Sequence, residues 1–233
     1  MKTLSDESIQ KQFVKSCMKY WKGWDKLDRI KRLASLDAAI NEAIESVPFS
    51  KVLFISSTNT INAQFDYKKW AIQINTKVIS EKFDPSAFIE LCSFTYHEAR
   101  HAEQFFLMAM RASAVYKKND NRAITLLPKE IGDAAIKMAA SYPKNRDKEI
   151  GQWFISLLGY KQDETTKVIK EVTDLIKGHN ASKDAYQKYR NLVHEADAFA
   201  ITSAIRLKMK SEFSTLNEDE TFAGLQELFT DKD

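Results

Sequence analysis

The sequence predicts an α+β chain that is mainly α, and three observations carry that expectation. Six glycines and four prolines in 233 residues leave few breaks, which favours long helices over many short strands. Apolar residues recur at spacings of three and four over most of the chain. Only residues 51–79 change character, turning to β-branched and aromatic residues with a short alternating pattern.

An N-terminal helical layer covers 1–48. Its first helix is expected from Ser5, as N-cap, to Trp21. From Asp25 to Val47, the residues Leu27, Ile30, Leu33, Leu36, Ile40 and Ile44 form one stripe to be buried, and Pro48 closes the layer. In 51–79, KVLFISS and INAQFDYKKWAIQIN predict a small antiparallel sheet with a turn at Asp66 to Lys69. Trp70, Ile72 and Ile74 alternate with Ala71, Gln73 and Asn75. They are expected in the core, on an edge strand able to pair with an extended peptide.

Asp84 as N-cap and Pro85 at the first helical position open a helix over 84–116. A polar loop follows at Lys117 to Arg122, then helices from Lys129 to Ala140, Ile150 to Leu158 and Glu164 to Lys177. The last long helix is expected over 182–210. In the acidic tail beyond it, Phe222, Leu225, Leu228 and Phe229 share one face. No internal repeat or low-complexity linker divides the chain, so one domain over 1–233 is the simplest partition.

A net charge of +3, from 35 basic and 32 acidic residues evenly interspersed, gives no nucleic-acid footprint. No apolar run reaches the roughly 18 to 20 residues of a membrane span. The start MKTLSDESIQKQF has no apolar secretory core, so cytoplasmic synthesis is expected, with any export independent of a signal peptide. Cys17 and Cys92 are isolated in sequence and read as reduced core residues.

The chemistry concentrates in SFTYHEARHAEQFF, residues 93–106. Two of only four histidines, His97 and His101, stand four apart, with Glu98 after the first. On a helix their Cβ atoms lie about 6 Å apart on one face, so both imidazoles can reach one cation. Two neutral imidazoles suit one Zn²⁺ per chain, and Glu98 can take a proton from a water the metal has acidified. The bland reading is an amphipathic helix that carries His and Glu at polar positions, in a non-enzymatic helical binding module with an incidental HEARH. A di-iron carboxylate protein would also use Glu98 to His101 as a Glu-x-x-His element, but it needs a second one, and the sequence has none.

These residues resemble the zincin metallopeptidases, which carry HExxH on an active-site helix behind a small sheet. The resemblance implies a zincin-like fold, His97 and His101 as zinc ligands, Glu98 as general base, and a protein or peptide substrate. In the gluzincin branch the third ligand is a glutamate on a later helix, and HEADAFA, residues 194–200, looks like that branch's acidic pattern. The commonest gluzincin spacing would put this glutamate where Val193 stands, so the match is not complete. A fainter resemblance, in YHEARHAEQ and YRNLVHEADAF, is to metallopeptidase toxin domains of bacterial effectors. It implies delivery into another cell, with an immunity or delivery partner.

His194, Glu195 and Asp197 compete for the third position. Residues 194 and 195 are about 100° apart around a helix, so only one faces a metal squarely. Glu195 shares the side of Leu192 and Phe199, at spacings of three and four, and is the preferred ligand. His194 is the alternative, and Asp197, with its shorter arm, is suited to orient a ligand. Tyr186, Tyr189 and His179 are candidate donors to an oxyanion. Arg100 and Glu103 flank the motif as partners for solvent or for a ligand.

Overall fold

The computed structural model describes residues 1–44, 47–48, 51–55, 62–80, 84–115, 121–159, 161–176 and 184–230, without the side chains of 51–55, 80, 176 and 217–230. Helix α1 (Glu7–Trp21) starts after an N-cap at Asp6, not Ser5. Asp6 turns its carboxylate back onto the Thr3 backbone N–H, and Ser5 pairs with the Thr3 hydroxyl instead. The helix expected from Asp25 to Val47 is two pieces, a 3₁₀ turn at Trp24–Lys26 and α2 (Arg29–Ala43). Asp28 causes the break, because its carboxylate accepts the Lys31 N–H at 2.9 Å and caps a new helix. Leu33, Leu36, Ile40 and Ile44 are buried as expected, whereas Ile30, in the first turn of α2, is 73% exposed.

Strands β1 (Lys51–Ile55), β2 (Ala63–Asp66) and β3 (Ala71–Asn75) form one sheet in the order β1-β3-β2. The β2–β3 pair is antiparallel across the predicted turn, where Asp66 Oδ1 accepts from Lys68 N–H at 3.0 Å and Lys69 N–H at 3.1 Å. The sheet is mixed rather than purely antiparallel, because β1 joins the far side of β3 and runs parallel to it. That order also makes β3 the central strand, buried along its whole length, rather than the expected edge. Trp70 closes the turn with φ of 49°, in the left-handed region that costs a non-glycine residue roughly 1–3 kcal/mol. Its buried ring and an Nε1–H donated to the Pro48 carbonyl at 3.1 Å hold it there.

After α3 (Thr76–Ser80), α4 (Pro85–Val115) begins as predicted: Pro85 is its first residue, and Asp84 Oδ1 accepts the Ala87 N–H at 2.7 Å. The predicted loop at 117–122 lies mostly outside the described residues, with Arg122 opening α5 (Arg122–Thr125). Then come α6 (Lys129–Met138), α7 (Asp147–Leu157) and α8 (Gln162–Ile176). The helix expected over 182–210 is split into α9 (Ala185–Arg190) and α10 (Val193–Thr230), the second running well past Lys210. The Asn191 and Leu192 N–H groups close turns on the carbonyls of the preceding turn, so α10 is a fresh helix that starts one residue before His194.

α4 is the axis of the fold. It packs against α10, α6, α7 and β2, and is buried over most of its circumference. Cys17 of α1 and Cys92 of α4 are both buried as expected, and they are neighbours in space: burial first, then Cys17, pushes the Cys92 thiol up. No described helix is long and apolar enough to cross a membrane.

Candidate metal centre

Two side chains from the middle of α4 and one from the first turn of α10 converge. His97, His101 and Glu195 are all buried, each offering a ligand atom within 4.8 Å of the others, and this group can hold a metal ion. His97 Nε2 lies 3.4 Å from Glu195 Oε2, and His101 Nε2 lies 3.5 Å from Oε1. The two Nε2 atoms are 3.2 Å apart.

The surrounding hydrogen bonds fix which nitrogens face inward. Thr202 donates its hydroxyl to the Ala198 carbonyl at 2.7 Å, so its oxygen is left to accept from His97 Nδ1–H at 3.0 Å. Gln104 spends its amide N–H groups on the His194 carbonyl at 2.8 Å and on Asp197 Oδ2 at 2.7 Å. Its Oε1 therefore accepts from His101 Nδ1–H at 2.9 Å. Both histidines thus present a bare Nε2 lone pair to the centre, the tautomer a metal ligand needs.

Without a cation this arrangement is unfavourable. With both imidazoles neutral, two nitrogen lone pairs face each other, and Glu195 Oε2 is buried with no hydrogen-bond partner. The response of the metal-free group has the same cause. Burial alone would lower the His101 pKa, but the Glu195 charge and hydrogen bond, with Glu98 behind them, push it up to about 9. Burial alone would raise Glu195, yet the imidazoles hold its carboxyl well below the usual range. A cation satisfies all three groups at once, and the two imidazoles with one carboxylate are a set that zinc favours.

Around the three groups lies a buried ionic network. Asp197 takes Arg100 in a fork, Nε at 2.8 Å and Nη2 at 3.0 Å, and shares Oδ2 with Gln104. Asp197 thus orients rather than reaches the centre. Arg100 also pairs with Glu103 and lies over the Trp153 ring at 5.1 Å. Burial opposes its charge, but Glu103 and Asp197 hold the guanidinium firmly protonated. The expectation of solvent partners for Arg100 and Glu103 is therefore corrected: both are fully buried. Glu103 accepts the Leu4 N–H at 2.9 Å, and Tyr96 donates to the Leu4 carbonyl at 2.8 Å, so the N-terminal segment is tied to the motif helix.

His194 is buried beside Glu195, with Nε2 at 3.5 Å from Oε1 and Nδ1 at 3.3 Å from the Ser156 hydroxyl. Burial lowers its pKa to about 4, so it stands neutral against the carboxylate. It is outside the three-residue group.

Glu98 sits on the open side, half-buried, in the wall of a pocket of about 320 Å³ that also includes His97. Burial raises its pKa above the ordinary carboxylate value, against the pull of the two histidines and of the Phe65 N–H. Tyr189 faces Glu195 and Glu98; burial first, then these carboxylates, raises its pKa and keeps the hydroxyl protonated. Tyr186 is farther out on the rim, 49% exposed, its ring stacked 6.4 Å from that of Tyr189. His179 lies outside the described residues.

Sequence reasoning missed Gln104 and Thr202. Gln104 stands one turn after the residue it serves, His101 on α4, whereas Thr202 serves His97 from another helix, α10, two turns after Glu195. An amide or a hydroxyl at such a spacing is too common to announce itself.

Comparison of the chain with protein-family models, curated proteins and solved structures gives no match in any of the three. The chemistry of the site rests on its own residues.

Proposed function

We propose that this chain is a zinc-dependent peptidase of zincin type, with Glu98 as general base. The observation that carries the reading is the buried His97, His101 and Glu195 group with Glu98 beside it on the wall of an open pocket. A structural zinc closes its sphere with four protein ligands, whereas three ligands next to a cleft leave a position for water or substrate.

Zinc in this set supplies Lewis acidity, acidifying a water to a pKa of about 7 and polarising a carbonyl. Glu98, on the pocket wall beside the three groups, would accept the proton of such a water and pass it to the leaving nitrogen. Tyr189, held protonated, is the nearer of the two tyrosines to donate to the developing oxyanion. Peptide rather than another acyl substrate is favoured by β2, an edge strand among the described residues. The Asn62 carbonyl accepts from the Asn75 N–H, so alternate residues of β2 turn to β3 while Ala63 and Phe65 point the other way. The Phe65 N–H meets Glu98 there, and Ala63 lines the pocket, where an extended backbone can pair. The bacterial-effector setting belongs to the same proposal, and Glu98-dependent toxicity on expression inside a bacterial cell tests it.

The deciding experiment is elemental analysis of protein purified without added metal, together with mass-spectrometric cleavage of a peptide library by wild type and Glu98→Gln. The expected result is one zinc in both proteins and cleavage by wild type alone. Equal activity in both would remove Glu98 from its role. Zinc in both with no cleavage by either would leave the ion a structural one in a binding module.

A further inference from the structure

The pocket beside Glu98 has walls that the metal chemistry does not require. Besides His97 and Glu98 the lining includes Phe94, one turn before Glu98 on α4, Phe199, whose ring lies 4.7 Å from that of His97, and three residues of α8, Ile169, Val172 and Thr173. None of these meets the outer nitrogen of His97 or His101, the Thr173 hydroxyl being donated to the Ile169 carbonyl, and α8 belongs to the part of the chain that carries no recognisable motif. The aromatic and aliphatic surface is exposed at the rim, where Ile169 is 39% and Tyr186 49% accessible, while Val172 at the base is buried. Large apolar residues left accessible around a concave site next to reactive groups mark a binding surface.

Charge and size narrow the occupant. Among the lining residues only Glu98 and Arg206 carry formal charge, and Arg206 already has a counter-ion in Glu90 at 2.6 Å. An acidic side chain would face Glu98 and would have to share Arg206 with Glu90 through its unpartnered Nε–H; a basic one would be drawn to Glu98 but repelled by Arg206; and either would lose its hydration against apolar walls. A volume of about 320 Å³ is at the low end of the roughly 300–1,000 Å³ typical of ligand pockets, room for one or two side chains of an extended segment. Ala63 on the β2 edge lies in the same pocket to carry that segment's backbone.

We infer that this pocket selects a large apolar side chain of the substrate, leucine or phenylalanine in size, next to the bond cleaved, and that α8 is its selecting wall. This rests on the peptidase reading, which supplies the bond. Ile169 sets the polarity of the entrance and Thr173 the room behind it.

The test uses the full chain loaded with zinc and a series of dipeptide hydroxamates that differ in one side chain: leucine, phenylalanine, glycine, aspartate or lysine. The hydroxamate holds the metal whether or not the protein cleaves peptides. Leucine and phenylalanine probes should bind about tenfold or more tighter than glycine, and the charged probes no better than glycine. Ile169→Glu, at an exposed position, should erase the apolar preference without changing zinc content. Thr173→Phe should shift the preference from phenylalanine towards smaller apolar side chains, which a general loss of structure would not do. Equal binding of leucine and glycine probes, or tighter binding of a charged one, overturns the inference. Selective probe binding without cleavage of any peptide sinks the peptidase reading and leaves the pocket; cleavage with no side-chain preference does the opposite. A protein that takes up no zinc ends both.

Discussion

The side-chain oxygen of Gln104 lies 2.9 Å from Nδ1 of His101, and this contact fixes which imidazole nitrogen faces Glu195. The glutamine can play that part because Asp197 and the His194 carbonyl have taken both its donors. The helix that carries Glu195 thereby also sets the tautomer of His101.

Gln104→Ala should therefore weaken zinc binding by about 10–100-fold while the helical content stays the same. Competition with a chromophoric chelator measures it. An unchanged affinity would show that His101 needs no such partner.

Glu195→Gln should lower zinc affinity far more than His194→Ala, since Glu195 belongs to the three-residue group and His194 stands behind it against Ser156. The same chelator titration ranks the two variants. The reverse order would hand the ligand role to His194.

Metal removal should make stability depend on pH in a defined window. In the metal-free fold the His101 pKa is pushed up to about 9 from its ordinary 6.5, because the Glu195 and Glu98 charges outweigh burial. A raised pKa stabilises the fold fully below 6.5, and that contribution is lost as pH rises through 9. The metal-free protein should lose thermal stability across this window, whereas the zinc-loaded protein, with that nitrogen occupied, should not. The depressed Glu195 pKa acts only in acid, outside the window. Zinc uptake at pH 7 should also release about one proton per ion, visible as a buffer-dependent heat. Parallel stability curves with and without metal across this range would contradict the assignment.

Arg100→Met should destabilise the metal-free fold by about 3–5 kcal/mol, because it leaves Glu103, fully buried, and Asp197 without their cation. Urea unfolding reads the loss. A change below about 1 kcal/mol would mean the two carboxyls find protons or water at little cost.

Local chemistry with one dominant cause was legible in the sequence. Asp84 and Pro85 fix the start of α4, Asp66 fixes the β2–β3 turn, and Glu195 shares a face of α10 with Phe199, four residues on; Leu192, its other expected neighbour, lies in the break before that helix. Features decided by competition were not. Ile30 matches the stripe of α2 by spacing, yet Asp28 starts the helix so close to it that nothing packs over that turn. The break at Asn191 and Leu192 has no glycine or proline to announce it. The parallel partner of β3 depends on where a connection crosses, which residue type does not encode. Arg100 read as a partner for solvent or for a ligand because most of what surrounds it comes from distant points of the chain: besides Glu103, it pairs with Glu149 and Asp197 and lies over Trp153.

Glu195 follows His101 by 94 residues, and it stands in the first turn of a helix that begins afresh at Val193. An ion held by all three groups would therefore act as a cross-link that closes a long loop, withdrawing freedom from the unfolded chain much as a disulfide does. Because α5 to α9 lie within that loop, a chelator would loosen about two fifths of the molecule and not only the pocket, and metal loading would report that α4 and α10 have met.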